Sequence, residues 1–185
     1  TILDLNDNPP SFGQQRYFAS VPENVTVGTG VLTVSASDPD SGVNGQVTYA
    51  INRRQSDTGE LFSIDAFSGL LSVNKRLDFE SKDSHELVVV AKDKGDVPQE
   101  TTAFITVKIT DVNDNRPQFA ANPLQVSVSE DSAPGSPVYT VTARDLDMGG
   151  NETIRYDLKS QFPDKYFRMD SLSGELFLVK KLNYE

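Results

Sequence analysis

Apolar and polar residues alternate along most of this chain. "QVTYAIN" (46–52), "LFSID" (61–65), "LLSVN" (70–74), "HELVVVAKD" (85–93) and "TAFITVKIT" (102–110) are short and rich in Val, Ile, Thr and aromatic residues, and Gly, Pro, Asp and Ser clusters bound them. A period of two marks half-buried strands. With "VLTVSAS" (31–37) and a first strand around "YFASVPEN" (17–24), the pattern predicts seven strands in about 105 residues. That count and spacing fit a Greek-key, immunoglobulin-like β-sandwich. No segment carries a sustained 3.6-residue apolar stripe with caps, so helices are expected to be minor.

The pattern then repeats. "DLNDNPP" (4–10) returns as "DVNDNRP" (111–117), "VPEN" as "VSED" (128–131), and "DPD" (38–40) as "DLD" (145–147), each 107 residues further on. "FSIDAFSGLLSVNKRLDFE" (62–80) returns as "FRMDSLSGELFLVKKLNYE" (167–185) at a spacing of 105, two residues having been lost from the counterpart of "RRQSDTGE". One domain type is therefore used in tandem. The second copy stops after its fifth strand, and "TILDLNDNPP" aligns with "VKITDVNDNRP". The chain reads as a piece of something longer: the tail and linker of one repeat (1–11), a complete repeat with its linker (12–117), and an incomplete third (118–185).

Charge narrows the function. Seventeen basic residues against 27 acidic ones give a net charge of −10 over 185 residues. Such a surface repels nucleic acid and anionic membranes and draws cations. With no Cys, neither a disulfide nor a thiolate metal site is available, although metal can hold an extracellular domain together instead. The longest apolar runs, such as "LVVVA" (87–91), fall far below the roughly 18 residues of a membrane span. The N-terminus has no basic region followed by an apolar core, so neither a signal peptide nor direct membrane insertion of this segment is expected.

The Asp/Asn runs are the candidate chemistry. Calcium takes six to eight oxygen ligands from carboxylates, amide carbonyls and the backbone, and "DVNDN" supplies all three kinds in five residues. The Arg116-Pro117 step keeps the chain extended beyond them. A plain turn is the rival reading, but it does not explain why the run recurs with other acidic motifs at one period. An EF-hand loop fails residue by residue: from Asp38 its sixth and twelfth positions are Val43 and Tyr49, from Asp145 the twelfth is Tyr156, and from Asp111 it is Asn122.

The ordered set "PEN", "DPD" with "GVNG", "LDFE", "AKD" and "DVNDNRP" resembles the extracellular repeat of the cadherin superfamily, over the whole chain. It is most similar in kind to an interior segment of a long protocadherin or a Fat/Dachsous-type cadherin. The resemblance implies three calcium ions at the junction near 111–117. The outermost would use Glu23, Asp78, Glu80 and Asp114. The middle one would share Glu23, Glu80 and Asp114 and add Asp111, Asp147 and the Val112 carbonyl. The third would use Asn113, Asp145, Asp147 and the carbonyls of Asn115 and Asn151. At the N-terminal junction it implies one or more ions, held by Asn6, the Asn8 carbonyl, Asp38, Asp40, the Asn44 carbonyl and Asp93, with Asp4 and Asp7 under-used. Asn183 stands where "LDFE" has Asp78, which should weaken the outermost site of any following junction. Setting aside the twelve junction carboxylates leaves 15 acidic residues against 17 basic ones, so the acidic excess belongs to these sites.

What the resemblance implies is a calcium-stiffened segment of a cell-surface adhesion ectodomain, extracellular and part of a single-pass membrane protein. Its partners would be other cadherin ectodomains, homophilic or heterophilic. The segment alone is expected to be monomeric or weakly associating. A calcium-dependent lectin-like module is the alternative and would need open coordination positions. Catalysis is disfavoured. The single histidine, His85, is expected to be a solvated residue leading into a strand, and a carboxylate-pair glycosidase would need a cleft where Asp78 and Glu80 already belong to a repeat-end motif. Sequons at Asn24 ("NVT") and Asn151 ("NET") are candidate glycosylation sites. Ser56, in the "RRQSDTGE" loop, is expected to tolerate alanine without effect on calcium binding.

Overall fold

The alternating segments form strands in the computed structural model, which describes residues 3–121, 125–147, 154–159 and 166–183. The chain divides into two units, Thr1–Val112 and Asn113–Glu185. Every regular element among the described residues is a strand, and none is a helix long and apolar enough to cross a membrane.

The first unit holds β1 (Ser11–Phe12), β2 (Arg16–Pro22), β3 (Gly30–Thr33), β4 (Ala36–Ser37), β5 (Thr48–Ile51), β6 (Phe62–Ile64), β7 (Leu70–Val73), β8 (Ser84–Lys92) and β9 (Glu100–Thr110). One sheet runs β2-β9-β8-β5, a second runs β3-β7-β6, and β1 pairs with β4. All pairings are antiparallel except β2 with β9, which run parallel with Arg16 opposite Phe104 and Pro22 opposite Thr110. Alternation puts Leu87, Val89 and Ala91 of β8 and Ala103, Ile105, Val107 and Ile109 of β9 on the inner face. They close on Phe62, Leu71 and Val73 from the other sheet and on Val34 just past β3. Each large apolar side chain buried in this way contributes roughly 1.5–3 kcal/mol.

Three local features depart from the expected strands. "VLTVSAS" is two strands in different pairings, because the buried Val34 donates its N–H to the Gly69 carbonyl (3.0 Å) between them. The Tyr49 hydroxyl accepts the Ala36 N–H at 2.8 Å just after this switch. His85 lies within β8 and is buried, its ring edge against Phe62 at 5.6 Å between centroids. The expected solvated position is thus corrected: the residue falls on the inward register of the strand. Ser56 is also buried. Its Oγ accepts the Val88 N–H (2.8 Å) and donates to the Asn52 carbonyl (3.2 Å), so the loop that follows β5 is pinned to the middle of β8.

The second unit repeats the first at the sequence offsets. It holds β10 (Gln118–Phe119), β11 (Pro137–Thr140), β12 (Ala143–Arg144), β13 (Phe167–Met169) and β14 (Glu175–Leu178), in pairings β10-β12 and β11-β14-β13. Tyr156 accepts the Ala143 N–H at 3.0 Å, as Tyr49 does with Ala36. The "DxxSG" turn is also duplicated. Asp65 Oδ1 accepts the Ser68 N–H and Asp170 Oδ1 the Ser173 N–H, both at 2.8 Å, and these bonds hold both carboxyls below their ordinary pKa. Gly69 (φ +70°) and Gly174 (φ +69°) close the turns, where a Cβ would overlap the carbonyl oxygens of Val34 and Val141 respectively. Residues 125–129 and 154–159 form no ladder. Their counterparts β2 and β5 pair only with β9 and β8, whose equivalents would fall past residue 185.

Candidate metal centres

Two ends of the first unit gather oxygen donors. At one end, β4 delivers "DPD" and the end of β8 delivers Asp93 to the "DLNDN" segment. Asp40 donates its N–H to Asp38 Oδ1 (2.9 Å), which folds the motif on itself. Asn8 then donates its backbone N–H to Asp40 Oδ2 (3.1 Å) and its Nδ2 to Asp40 Oδ1 (2.6 Å). Asn6 Nδ2 reaches both Asp93 oxygens at 3.2 Å. Asp4 Oδ2 accepts from the Ser41 N–H and from Asn44 Nδ2, each at 3.0 Å, which ties the turn carrying Asn44 to the same segment. Asp7 Oδ1 accepts from Asn8 Nδ2 at 2.8 Å. The six expected ligand residues of this end thus fall into three hydrogen-bonded groups along the one segment, Asn6 with Asp93, Asn8 with Asp40 and Asp38, and Asn44 with Asp4.

Asp93 is 2 % exposed. Burial pushes its carboxyl pKa up, but N–H donors from Gly95 (2.9 Å), Gln99 (2.9 Å) and Asn6 outweigh it, and the net shift is below the ordinary value. The carboxylate is held ready as an anion. Two buried oxygens in the cluster, Asn6 Oδ1 and Asp38 Oδ2, have no hydrogen-bond partner. A buried unpartnered acceptor costs about 1–3 kcal/mol, and a hard cation is what such oxygens lack. The donor set is all oxygen and strongly anionic, which fits calcium.

At the other end, carboxylate oxygens of Glu23, Glu80 and Asp111 lie within 4.8 Å of one another. Glu23, just past β2, is 3 % exposed. Its Oε2 accepts the Phe79 N–H (2.9 Å) and its Oε1 the Val112 N–H (2.8 Å), binding "LDFE" and the linker to the strand end. Asp78 is exposed and stands outside this triad, with its Oδ1 accepting the Ser81 N–H at 3.4 Å.

The second unit carries a copy of the first arrangement. Asp145 and Asp147 are buried, and Asp147 donates its N–H to Asp145 Oδ1 (3.2 Å). Asn115 donates its N–H to both Asp147 oxygens (3.2 Å each) and its Nδ2 to Oδ1 (2.8 Å), with a further contact to Asp114 Oδ1 at 3.1 Å. Asn113, the counterpart of Asn6, is exposed. Asn151 lies outside the described residues. Sequence reasoning missed Gln99, whose Nε2 donates to the Asn6 carbonyl at 2.8 Å. No periodic signal could have found it, because its counterpart falls past residue 185.

Tandem all-β repeats of the immunoglobulin-like sandwich class, with acidic groups gathered at strand ends, define a repeat module. The family model for the cadherin domain matches residues 17–110 and 124–185. The chain belongs to the cadherin family, whose domains bind calcium. It is 48 % identical to Protein dachsous of Drosophila melanogaster over 97 % of this chain and 5 % of that protein, and 43 % identical to Protocadherin-16 of Homo sapiens over 97 % and 6 %. Among solved structures, mouse Cadherin-23 EC22-24 aligns with a TM-score of 0.89 at 36 % identity, covering 99 % of this chain and 58 % of that one. The chain thus spans about one twentieth of the length of these curated relatives.

Proposed function

We propose that this chain is a segment of a calcium-dependent cell–cell adhesion ectodomain, extracellular and anchored elsewhere in a single-pass membrane protein, whose repeats are held by calcium. The observation that carries the reading is the pair of buried, unpartnered oxygens on Asn6 and Asp38 inside a cluster of anionic donors. Asn6, Asp38, Asp40 and Asp93, with the carbonyls of Asn8 and Asn44, would hold one or more ions at the N-terminal end. Glu23, Asp78, Glu80, Asp111, Asp114, Asp145 and Asp147, with Asn113 and the carbonyls of Val112, Asn115 and Asn151, would ligate three.

Electrostatics supplies the mechanism. Two carboxylates about 4 Å apart repel by about 4 kcal/mol at an effective dielectric of 20. Calcium, when bound, offsets that repulsion, and the chain's part is to bring the oxygens together on strand ends and hold them with backbone N–H groups. The partners proposed are other cadherin ectodomains, homophilic or heterophilic, met through many repeats in series, while this segment alone stays monomeric or weakly associated. Asn24, exposed in the turn after Glu23, is proposed as a glycan site, and Asn151 as a second. The role is mechanical and not catalytic, in keeping with a sole histidine that packs in the core.

Thermal unfolding with calcium or with chelator tests the reading. Calcium at ten times a site's Kd stabilises by about 1.4 kcal/mol per site, so the midpoint should rise with calcium, and with magnesium much less. Equal midpoints with calcium and with chelator would contradict it. Sedimentation at saturating calcium tests the association state, and a tight dimer would show this segment to be an adhesive unit by itself.

A further inference from the structure

An asparagine can serve a cation only through its oxygen, yet its side-chain amide is nearly symmetric in shape, so something must decide which end faces the ion. At Asn6 the decision is made by one loop, the seven residues from Asp93 to Gln99. One carbonyl and one carboxylate of that loop take the amide nitrogen: Asn6 Nδ2 donates to the Val97 carbonyl at 2.9 Å and to Asp93 at 3.2 Å. The loop's last residue takes the backbone, Gln99 Nε2 donating to the Asn6 carbonyl at 2.8 Å. The same Gln99 donates its own N–H to Asp93 Oδ2 at 2.9 Å, so it fixes both the asparagine and the carboxylate beside it. Gly95 leaves the space: a Cβ there would overlap Asn6 Nδ2 and lie 2.8 Å from its Cγ. Its φ is not positive, so the glycine is required by room and not by backbone conformation. With the nitrogen end consumed, Oδ1 is left buried and unpartnered.

We infer that the 93–99 loop is a positioning device, with Gln99 and Gly95 as its working residues, which turns the Asn6 amide so that its oxygen faces the cation before the cation arrives. Neither residue is itself a ligand. The device preorganises the site, and part of the ordering cost of binding is met in the folded chain. This inference rests on the calcium reading above.

The test is a calcium chloride titration of the whole ¹⁵N-labelled chain, read separately at Asn6 and Asp40 and at Glu23. Gln99→Met keeps the side-chain length and the backbone N–H while removing the donor to Asn6. It should raise the calcium midpoint at Asn6 and Asp40 about five-fold, the worth of one hydrogen bond, and leave the midpoint at Glu23 unchanged. Gly95→Ala should raise the midpoint at the same end further, because it displaces Asn6 directly. In chelator, the Asn6 side-chain amide protons should exchange more slowly with solvent in the wild type than in Gly95→Ala. Unchanged midpoints at Asn6 in both variants would overturn the positioning role. A wild-type chain with no calcium-dependent shift at any residue would instead overturn the calcium reading itself.

Discussion

Asn6 and Asp93 stand 87 residues apart in the chain, yet the Asn6 amide nitrogen lies 3.2 Å from each oxygen of the Asp93 carboxylate. Strand β8 ends at Lys92, one residue before Asp93, so the longest hydrogen-bonded ladder of the sandwich places the acid. The sheet thereby sets the position of the linker. Glu23 does the same at the far end of the unit, where it follows β2 directly and receives the Phe79 and Val112 N–H groups.

Glu23 and Asp78 should therefore respond differently to neutralisation. Glu23→Gln removes a proposed charged ligand from the triad, in which Glu23 is the buried member, and one of two good backbone acceptors, and should weaken calcium binding at that end on the order of tenfold. Asp78→Asn alters an exposed residue outside the triad and should weaken it less. Calorimetric titration of both variants decides the ranking, and equal losses would count against it.

His85 makes stability depend on pH in a definite direction. Burial in the core, aided by Lys82, lowers its pKa below 6.5, against weaker opposing effects from Asp57 and Asp83. The unfolded chain takes up a proton near 6.5 while the folded one does not. Its contribution is thus full above that pH and is lost as pH falls through the window below 6.5. The sole histidine should titrate below 6.5 by NMR, and His85→Phe should flatten the stability profile between pH 6.5 and the folded pKa.

Ser56→Ala leaves the Val88 N–H without its partner in a part-buried position. The expected loss is about 1–3 kcal/mol in urea unfolding, with calcium midpoints unchanged because no ligand is touched. A neutral effect on stability would show that water replaces the hydroxyl.

Gly69 and Gly28 separate conformation from space. Both have positive φ, +70° and +92°, but a Cβ at Gly28 meets nothing within 4 Å while one at Gly69 overlaps the Val34 carbonyl. Each alanine carries the left-handed cost of about 1–2 kcal/mol. Gly69→Ala should therefore destabilise by more than Gly28→Ala, and equal losses would mean that the β6–β7 turn relaxes away from β3.

Much of the fold was legible because a sandwich face is written in period two and a tandem repeat writes it twice. The positions of β5 to β9 follow from alternation, and the offset of 107 links "DPD" to "DLD" through the repeat alone. What alternation cannot show is pairing between distant segments. Nothing in "YFASVPEN" says that β2 runs parallel to β9, and nothing in "VLTVSAS" says that Val34 turns aside to Gly69. The burial of His85 escapes the sequence for a related reason: a polar side chain looks exposed until the register of its strand is known. The residues proposed as ligands at the N-terminal end carried a chemical signature in the sequence. Gln99 did not, since its role depends on a contact across 93 residues.

The central claim is that the clustered oxygens are cation sites, and the most direct measurement is a calcium titration of the intact chain followed residue by residue. The account predicts saturable shifts at Asn6, Asn8, Asp38 and Asp40 and at Glu23, Glu80 and Asp111, with midpoints of about 0.1–1 mM as in extracellular modules, and with magnesium far less effective. Absence of shifts at these residues up to about 10 mM calcium, well above that range, would contradict it.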